Sequence, residues 1–525
     1  MNNILKFCIE KGVLLDKDTF NFFSQFDEGT AKEIIEKFSL LREKVINKNS
    51  LSKNIDKIQN LIENKKIVEK IRVNFGISFE ILRESYMPKE KKEEVSELGN
   101  VKVLMSVPNI SKKIEPMDFV RYFRLRFNEL KNILKQRKEL DNLASIDKIS
   151  EKRQAVSVIG LVFSKGVSKN KNIMFDIEDL TGRIRVLVNK DKKEIYEKAK
   201  NILQDDVIGV RGFGDKEIIF ANDVIYPDTL LSEKTRLDRE ESAAFISDIH
   251  IGSKNFLEEN FKKFIVWLNG ETGDKDRREE ARRIKYLFVT GDTIDGVGIF
   301  PGQEELLNIK DIKDQYKKLA EFLGAIRKDV KIILCPGQHD GVRVAEPQPQ
   351  VGKDYASVLY ELKNLILVSN PALIEIKNNS GKRGIKILMY HGASLNSFIN
   401  EIDSLRLGNA HKNPTRVVKE LLKRKHLASL HSAVTYIPNI KKDYLVISEA
   451  PDVINTADLH RTDVDSYNGI LMICSSCWQS TTPFEEKVGN IPDPCKVPVL
   501  NLKTGQVKIL DFSDEEKSEP VGEGK

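Results

Sequence analysis

The sequence predicts a multidomain protein that joins a helical N-terminal module, a small β-barrel and a larger layered α/β domain. Its 525 residues exceed what one core holds, since single hydrophobic cores stop growing at about 250–300 residues. From Gln154 the apolar residues change from helical spacing to the alternation that is typical of strands. From residue 242 short apolar runs alternate with amphipathic segments, which indicates strands buried on both faces between helices.

The composition excludes a membrane protein and a disulfide-bonded secreted protein. No run of about 18 apolar residues could cross a bilayer, and the N-terminus lacks the apolar core of a signal peptide. Five cysteines, an odd and low number, predict reduced thiols. The net charge of +6 permits a basic surface for nucleic acid but does not require one. We therefore expect a cytoplasmic protein without a membrane contact.

The first 116 residues predict a helical module followed by a linker. Residues 1–85 contain "TAKEIIEKFSLLREKVINK", with apolar residues three and four positions apart and charges between them. Over residues 86–116, charge blocks and prolines interrupt any period, which is typical of a linker. The next helix carries Arg121, Arg124 and Arg126 beside an apolar stripe. Those arginines are expected either in solvent or, alternatively, against nucleic acid.

Residues 117–232 predict this helix plus a barrel. Five strand-like segments begin at Gln154, with a short helix, "KKEIYEKAKNIL", between the third and the fourth. That order is the layout of an OB-fold, a five-stranded barrel that commonly binds single-stranded nucleic acid and also serves as a protein-binding module. The sequence leaves both ligands open.

Residues 233–512 predict an α/β domain, and residues 513–525 a disordered tail. The expected strands are "AAFIS", "YLFVT", "VKIIL", "IKILMY" and "DYLVIS", with amphipathic helices between them.

Polar side chains follow the expected strands, where ligands of α/β sheets bind. In chain order they are Asp248 and His250 in "SDIH", Asp292 and Asp295 in "GDTID", Gln338, His339 and Asp340 in "GQHD", His391 in "YHG", and Asp458 and His460 in "TADLH". Mixed oxygen and nitrogen ligands suit ions such as Mn²⁺, Fe²⁺ or Zn²⁺, and a shared Asp can bridge two ions about 3.5–4 Å apart. Such a site activates water for attack on phosphorus, so the pattern predicts phosphoester hydrolysis.

With these residues assembled, the C-terminal half resembles the calcineurin-like metallophosphoesterases, whose five motifs occur in the same order as "DIH", "GDTID", "GQHD", "YHG" and "ADLH". The segments between the motifs, among them "GVGIFPGQEE", "RVAEPQP" and "EAPDVINTADLH", are similar to the small subunits of archaeal family-D DNA polymerases. Those subunits also carry a helical module, a linker and an OB-fold before the phosphoesterase domain. The resemblance runs from Met117 to Asp511.

The resemblance implies a 3′-to-5′ exonuclease that proofreads for a separate, large polymerase subunit and acts on single-stranded 3′ ends of DNA. It implies two divalent metal ions, with Mn²⁺ favoured. The implied metal ligands are Asp248, His250, Asp292, Gln338, His391, Asp458 and His460. Asp292 would bridge the ions. His339 would act on the scissile phosphate, and Asp340 would orient its ring.

Two residues depart from the motifs of that family. Gln338 stands where the family has Asn, and Asp458 replaces the first His of the last motif. The resemblance implies that both positions serve the second ion. The longer Gln and the negatively charged Asp change the reach and charge of the site, and a carboxylate favours harder ions such as Mn²⁺ or Mg²⁺. The sequence leaves open whether the second ion binds.

Other interpretations remain. The chain could be a catalytically weakened or inactive scaffold that binds the large subunit, although such scaffolds have lost most of the ligands that this chain keeps. A stand-alone phosphatase is disfavoured by the barrel and by the polymerase-like segments. Arg343 is expected to contact DNA phosphate or, alternatively, to pair with Glu346.

Overall fold

The computed structural model describes most of the chain. The described residues are 3–16, 19–20, 23, 28–40, 45–46, 97–109 and 113–513, with 232, 380, 440 and 489 excepted. They fall into two compact units, Met1–Glu94 and Val95–Lys525. The predicted tail over 513–525 lies outside the described residues except for Ser513.

In its described residues, the first unit contains helices α1 (Asn3–Glu10) and α2 (Glu28–Leu40). The two-residue strands β1 (Leu14–Leu15) and β2 (Val45–Ile46) pair in parallel, which the helical pattern did not predict. The rest of the predicted helical module lies outside the described residues, so that assignment stays a prediction.

The second unit alternates strands and helices. Its strands are β3 (Glu97–Leu98), β4 (Val101–Met105), β5 (Gln154–Val167), β6 (Ile173–Glu178), β7 (Arg183–Val188), β8 (Val207–Gly214), β9 (Ile218–Ile225), β10 (Ser242–Ile246), β11 (Ile284–Thr290), β12 (Lys331–Cys335), β13 (Leu365–Leu367), β14 (Ala372–Ile376), β15 (Ile385–Met389), β16 (Val453–Thr456), β17 (Asp463–Tyr467), β18 (Ile470–Cys474), β19 (Lys496–Asn501) and β20 (Val507–Asp511). Its α-helices are α3 (Pro116–Leu134), α4 (Lys193–Lys200), α5 (Glu258–Leu268), α6 (Lys275–Arg283), α7 (Ile312–Ala325), α8 (Lys353–Ala356), α9 (Leu395–Glu401), α10 (Asp403–Leu407), α11 (Thr415–Arg424) and α12 (Pro483–Val488).

Strands β5 to β9 form a closed barrel in the order β5-β6-β7-β9-β8, with α4 between the third and fourth strands. This confirms the predicted five-stranded barrel. Along β6, Ile173, Phe175 and Ile177 point into the core while the residues between them are more exposed, as the two-residue period of a strand requires. The apolar half of each strand therefore fills the barrel.

Two mixed sheets stack face to face and form the larger part of the unit. One has the order β13-β12-β11-β10-β19-β20, and the other β17-β18-β16-β15-β14-β4-β3. Phe245 and Phe288 stack between them with ring centroids 5.2 Å apart, in one buried cluster with Ile374 and Ile387. Helices α5 and α7 cover the outer face of the first sheet, and α9 and α11 that of the second. The central strands are thus buried on both faces, as their continuous apolar runs predicted.

The structure differs from the expected linker at residues 97–105. Val101–Met105 forms β4, which pairs antiparallel with β14 and supplies Val101 and Val103 to the core between the sheets. The short alternating pattern of β4 lies between charged residues. The sequence alone therefore does not distinguish this strand from the charged linker that was expected around it.

The predicted strand "DYLVIS" is wrong. Residues 443–448 form a turn whose Asp443 accepts hydrogen bonds from Tyr122 Oη at 2.7 Å and from Arg126 Nε at 2.9 Å. Leu445 and Val446 are buried in this turn, and a short buried turn has the same apolar run as a buried strand. Arg126 is itself buried, so it is not one of the solvent-exposed arginines that the sequence predicted on α3.

A buried ion pair joins the barrel to the layered sheets. Arg424 at the end of α11 donates through Nε to both carboxylate oxygens of Asp206, at 3.0 and 3.1 Å. Ser429 Oγ donates to the same carboxylate at 2.8 Å. Both ions are buried, and breaking such a pair from one side typically costs about 3–5 kcal/mol. In the part of the chain that the structure describes, there is no helix long and apolar enough to cross a membrane.

Candidate metal centre

The polar residues singled out in the sequence lie in loops that follow strand ends. The loop after β10 carries Asp248 and His250, that after β11 carries Asp292, that after β12 carries Gln338 to Asp340, that after β15 carries His391, and that after β16 carries Asp458 and His460. Strands β10 to β12 run parallel, as do β15 and β16. The carboxyl ends of parallel strands meet at one edge of a sheet, and the loops of the two sheets meet in turn, since Asp292 lies 3.2 Å from His391 and Asp248 lies 3.5 Å from His460.

The backbone turns sharply at five of these residues. Asp248, His250, Asp292, Asp458 and His460 all have φ between 46° and 69°, a left-handed conformation that is uncommon for residues other than glycine. Such strain persists only where surrounding contacts enforce it, and it concentrates at functional sites. The turns aim side chains from different strands toward one point.

Three groups of possible metal ligands meet there. Asp248, His250 and His460 form one group, Asp248, Asp292 and His391 form a second, and His250, Asp295 and His339 form a third, with all ligand atoms of a group within 4.8 Å of one another. Asp248 and His250 each belong to two of these groups, and the bridging role suggested for Asp292 stays a prediction. Asp292 Oδ1 accepts a hydrogen bond from His339 N at 2.9 Å, which leaves Oδ2 facing His391 Nε2 at 3.2 Å.

Each metal-site histidine is held by its Nδ1 atom, so that Nε2 faces the site. The Nδ1 partners are Asp295 Oδ1 for His250 at 3.0 Å, Thr290 O for His391 at 3.1 Å, and Glu485 Oε1 for His460 at 2.9 Å. An Nδ1–H bound to an oxygen leaves the Nε2 lone pair for a cation, which is the usual arrangement of metal-binding histidines.

The donor set fits a cation. The Nε2 atoms of His250 and His460 lie 3.3 Å apart, and two lone pairs at that distance repel unless a proton or a cation lies between them. Asp248 Oδ1 and His391 Nε2 are buried without a hydrogen-bond partner among the described residues. Buried polar atoms are normally satisfied, so these unsatisfied atoms indicate that the site is built to hold a metal ion.

The two residues that depart from the family motifs contact each other. Gln338 Nε2 donates to Asp458 Oδ1 at 3.1 Å, and His391 Nε2 lies 3.7 Å from the same oxygen. Gln338 Oε1 is buried and has no hydrogen-bond partner within the described chain. Gln338, Asp458 and His391 therefore lie together at one side of the candidate site.

The pKa shifts of the site residues indicate an excess of negative charge at the site. Burial lowers the pKa of His391, but Asp292, Asp248 and Asp458 outweigh it and raise the net pKa well above the ordinary value. Burial lowers the pKa of His460 too, and Cys477 and then Asp248 raise it well above its ordinary value overall. Burial and the other carboxylates raise the pKa of Asp458 to about 6. The carboxylates that favour protons here also favour a divalent cation.

His339 lies at the rim of the site. Its Nδ1–H donates to Asp295 O at 2.8 Å, and Nε2 lies 4.0 Å from Asp292 Oδ2. The structure corrects the expectation that Asp340 orients this ring. The Asp340 carboxylate instead accepts hydrogen bonds from Gly337 N at 2.9 Å and from Thr293 Oγ1, so it holds the loop while Asp295 O holds the ring.

The guanidinium group of Arg343 donates hydrogen bonds within its own loop. Its Nε donates to Ala345 O at 3.3 Å and its Nη2 to Pro347 O at 2.6 Å. Glu346 accepts hydrogen bonds from Tyr390 Oη and Asn370 Nδ2 instead. The structure thus differs from the expected pair between Arg343 and Glu346, while the expected contact of Arg343 with DNA phosphate stays a prediction.

Two glycines make room for the site. A Cβ atom on Gly337 would lie 2.1 Å from Asp292 Oδ1 and 2.7 Å from His391 Nε2. A Cβ atom on Gly291 would lie 2.1 Å from His391 Nδ1. All three distances are far below van der Waals contact, so only glycine at these two positions leaves the ligands in place.

Sequence reasoning missed Glu485, and it assigned no role to Asp295. Asp295 belongs to the "GDTID" motif, which was a usable signal. Glu485 lies on α12 in the segment "WQSTTPFEEKVG", far along the chain from its partner His460. No local spacing could have connected the two.

Family models match two parts of the chain. Residues 243–464 match the model that describes the B subunits of DNA polymerases alpha and epsilon, and residues 156–216 match an OB-fold nucleic acid binding domain. The solved structure of an archaeal phosphodiesterase aligns with 51% of this chain and 98% of that chain, at 14% identity and a TM-score of 0.25. That score is too low to assign a fold.

Curated relatives carry one shared name, DNA polymerase II small subunit. The chain is 37% identical over 396 residues to that of Methanothermobacter thermautotrophicus, covering 75% of this chain and 79% of the relative. It is 36% identical to that of Archaeoglobus fulgidus, covering 76% and 78%. For Pyrococcus furiosus the identity is 39%, covering 75% of this chain and 64% of the relative. The chain therefore belongs to the family of archaeal DNA polymerase II small subunits.

Proposed function

We propose that the chain supplies metal-dependent 3′-to-5′ exonuclease activity to a DNA polymerase and associates with a separate large subunit in the cytoplasm. The shared name of its relatives, a small subunit, supports the large partner. The metal centre supports hydrolysis of a phosphodiester. The substrate is the single-stranded 3′ end of DNA, and the barrel, which matches a nucleic-acid-binding OB-fold, supports that choice.

One observation carries the proposal: groups of possible metal ligands meet at one place, two of these groups share Asp248, and the buried atoms Asp248 Oδ1 and His391 Nε2 have no hydrogen-bond partner among the described residues. Asp248, His250 and His460 would hold one divalent ion, and Asp248, Asp292 and His391, completed by Gln338 and Asp458, a second, with Mn²⁺ favoured. Such ions supply Lewis acidity that activates water and neutralises charge on a phosphoryl group. The layout supports a calcineurin-like domain over 233–512, with the barrel domain before it.

His339 is the residue placed for proton transfer. Because its Nδ1–H is bound to Asp295 O, only Nε2 is free, and that atom faces the site. Nε2 can donate a proton to the leaving 3′-oxygen when the ring is protonated. Asp292 fixes its backbone through His339 N, which holds the ring against the metal ligands.

The test combines cleavage with metal counting. The full chain is incubated with a 3′-mismatched primer and Mn²⁺, alone and with its large subunit, beside His339→Ala and His250→Ala. We expect His339→Ala to lower the cleavage rate about 10²- to 10⁴-fold while Mn²⁺ binding is retained, and His250→Ala to lower both. Cleavage that neither substitution changes would reject the proposal.

The alternative is a scaffold that binds the large subunit without cleaving DNA. The hydrogen bond between Gln338 and Asp458 favours it, because it engages two side chains that the second ion would need. A chain that binds one Mn²⁺, leaves the primer intact and still assembles with the large subunit would establish this alternative.

A further inference from the structure

A loop of unassigned role borders the metal centre. Residues 296–303, "GVGIFPGQ", follow Asp295 directly and are called the 296–303 loop here. Two buried glutamines hold its backbone. Gln303 Nε2 donates to Asp295 O at 2.7 Å while its Oε1 accepts from Ile299 N at 2.9 Å. Gln315 Oε1 accepts from Gly296 N at 2.9 Å, and its Nε2 donates to Gly296 O at 3.0 Å.

The 296–303 loop is built against His339. Asp295 O, which binds Gln303, also accepts the Nδ1–H of His339 at 2.8 Å. Gly296 has a φ of 72°, and a Cβ atom there would lie 2.3 Å from His339 O. The start of the loop therefore cannot move without moving the residue placed for proton transfer.

The same loop exposes large apolar side chains. Val297 is 44% exposed, Ile299 37% and Phe300 41%. Isolated exposed apolar residues are ordinary, but a group of them beside a functional site indicates a ligand surface. Here the backbone is fixed by buried amides while the apolar side chains face solvent, so the surface is preformed.

The neighbouring chemistry identifies the occupant. At an exonuclease site the scissile phosphate lies at the metal ligands, and the terminal nucleotide is joined to that phosphate, so its base lies within one nucleotide of His339. An unpaired base has two flat apolar faces that stack on aromatic rings without regard to sequence. A base still paired in a duplex is stacked on its neighbours and is not free to leave them.

We propose that the 296–303 loop is the platform for the unpaired 3′-terminal base, with Phe300 as the stacking residue. The inference rests on the proposed exonuclease function and assigns the loop the choice of substrate: ends whose last base is unpaired bind, and paired ends do not. Phe300 is a positioning residue and takes no part in proton transfer.

The test compares the affinity for an oligonucleotide that ends in a base with the affinity for one that ends in an abasic sugar. The full chain is titrated with a single-stranded oligonucleotide that carries 2-aminopurine at its 3′ end and a phosphorothioate at the last linkage, and with the same oligonucleotide ending in an abasic sugar. We expect wild type to bind the first at least about fivefold more tightly and to quench its fluorescence. Phe300→Ala abolishes both the preference and the quenching.

Leu407→Ala is the matched control, because Leu407 on α10 is 82% exposed and belongs neither to the barrel nor to the metal centre. It leaves the preference for a terminal base over an abasic end unchanged. An unchanged preference in Phe300→Ala overturns the inference. If Phe300→Ala instead weakens association with the large subunit at unchanged preference, the loop is a protein contact and the inference is also overturned.

Cleavage assays on the same variants separate the two proposals. If His339→Ala abolishes cleavage while Phe300→Ala cleaves mismatched and paired ends with the wild-type ratio, only the loop assignment fails. If His339→Ala cleaves like wild type, the exonuclease proposal fails. The expected result is loss of cleavage in His339→Ala and, in Phe300→Ala, a mismatched-to-paired ratio that falls roughly fivefold or more.

Discussion

Gln338 donates a hydrogen bond to Asp458, with its Nε2 atom 3.1 Å from Asp458 Oδ1. These are the two residues that depart from the metallophosphoesterase motifs, and they come from loops of the two different sheets. In this arrangement the amide nitrogen faces the carboxylate. A cation that binds both side chains requires the amide to turn, so that Oε1, which is buried without a hydrogen-bond partner in the described part of the chain, faces the ion.

Removing the charge of Asp458 is expected to weaken the second ion selectively. Asp458→Asn keeps the shape of the side chain but removes its negative charge, so Mn²⁺ affinity at the second position falls about tenfold or more. The first position keeps its ligands. Calorimetric titration with Mn²⁺ should show one unchanged and one weakened step.

Substitutions at Gln338 and Asp458 are expected to have coupled effects on the affinity for the second ion. Gln338→Asn and Asp458→His each break the contact, whereas the double variant restores the residue types typical of the family. Residues in contact show non-additive effects of about 0.5–3 kcal/mol, so the double variant should bind the second ion more tightly than the two single changes predict. Additive losses would mean that the residues act independently.

Glu485 is expected to control the first ion through His460. Glu485→Ala removes the acceptor that holds Nδ1 of His460 at 2.9 Å, and loss of such a partner typically lowers metal affinity about 10- to 100-fold. Mn²⁺ titration measures the change. Glu486→Ala is the control because this neighbour is exposed, and an equal loss in both variants would contradict the assignment.

Gly337 is expected to tolerate no side chain. Gly337→Ala places a methyl group against Asp292 and His391, so both metal binding and cleavage should be lost while the fold is retained by circular dichroism. Gly352→Ala is the matched control, since no atom lies within 4 Å of its Cβ position. Metal binding by Gly337→Ala at the wild-type level would show that the loop can yield.

The free energy of unfolding is expected to fall as the pH decreases from about 6.5 to about 4. The buried His426 donates through Nε2 to Asp443 and accepts from Ala428 N through Nδ1, which is the neutral ring. Burial, with repulsion from Arg126, lowers the pKa of His426 to about 4. An unfolded histidine titrates near 6.5, so in this window the unfolded chain binds the extra proton and is favoured, by up to about 1.4 kcal/mol per pH unit.

Urea denaturation at pH 7, 6 and 5 checks this expectation. His426→Gln should flatten the pH dependence, while His431→Gln, which alters an exposed histidine, should leave it unchanged. Asp443, whose pKa is held below its ordinary value despite its burial, chiefly by His426 and Arg126, contributes stability that is lost only at lower pH. Equal slopes for wild type and His426→Gln would assign the acid sensitivity to other groups.

The sequence could predict features that depend on local patterns. The barrel strands are buried on one face, which gives their two-residue alternation, and the strands of the layered domain are buried on both faces, which gives their continuous apolar runs. Both the barrel and the layered domain were therefore predictable. The polar residues after those runs followed from the same logic. By contrast, "DYLVIS" and Val101–Met105 show where a short apolar run is ambiguous, because burial alone does not distinguish a turn from a strand.

Contacts between distant segments could not be predicted in this way. Asp340 is adjacent to His339 in sequence, yet its carboxylate binds Thr293 and Gly337. Glu485 holds a ring 25 residues away. Such pairings depend on the angle at which two loops meet, which no spacing along the chain encodes.

The buried ion pair between Arg424 and Asp206 has a consequence for how DNA could reach the metal centre. Because this buried pair holds the barrel in place against the layered sheets, a DNA strand that bound both the barrel and the metal centre would span a fixed distance between them. The distance between the two sites would then set a minimum length for the single-stranded 3′ segment. A shorter segment could not contact the barrel and the metal centre at the same time.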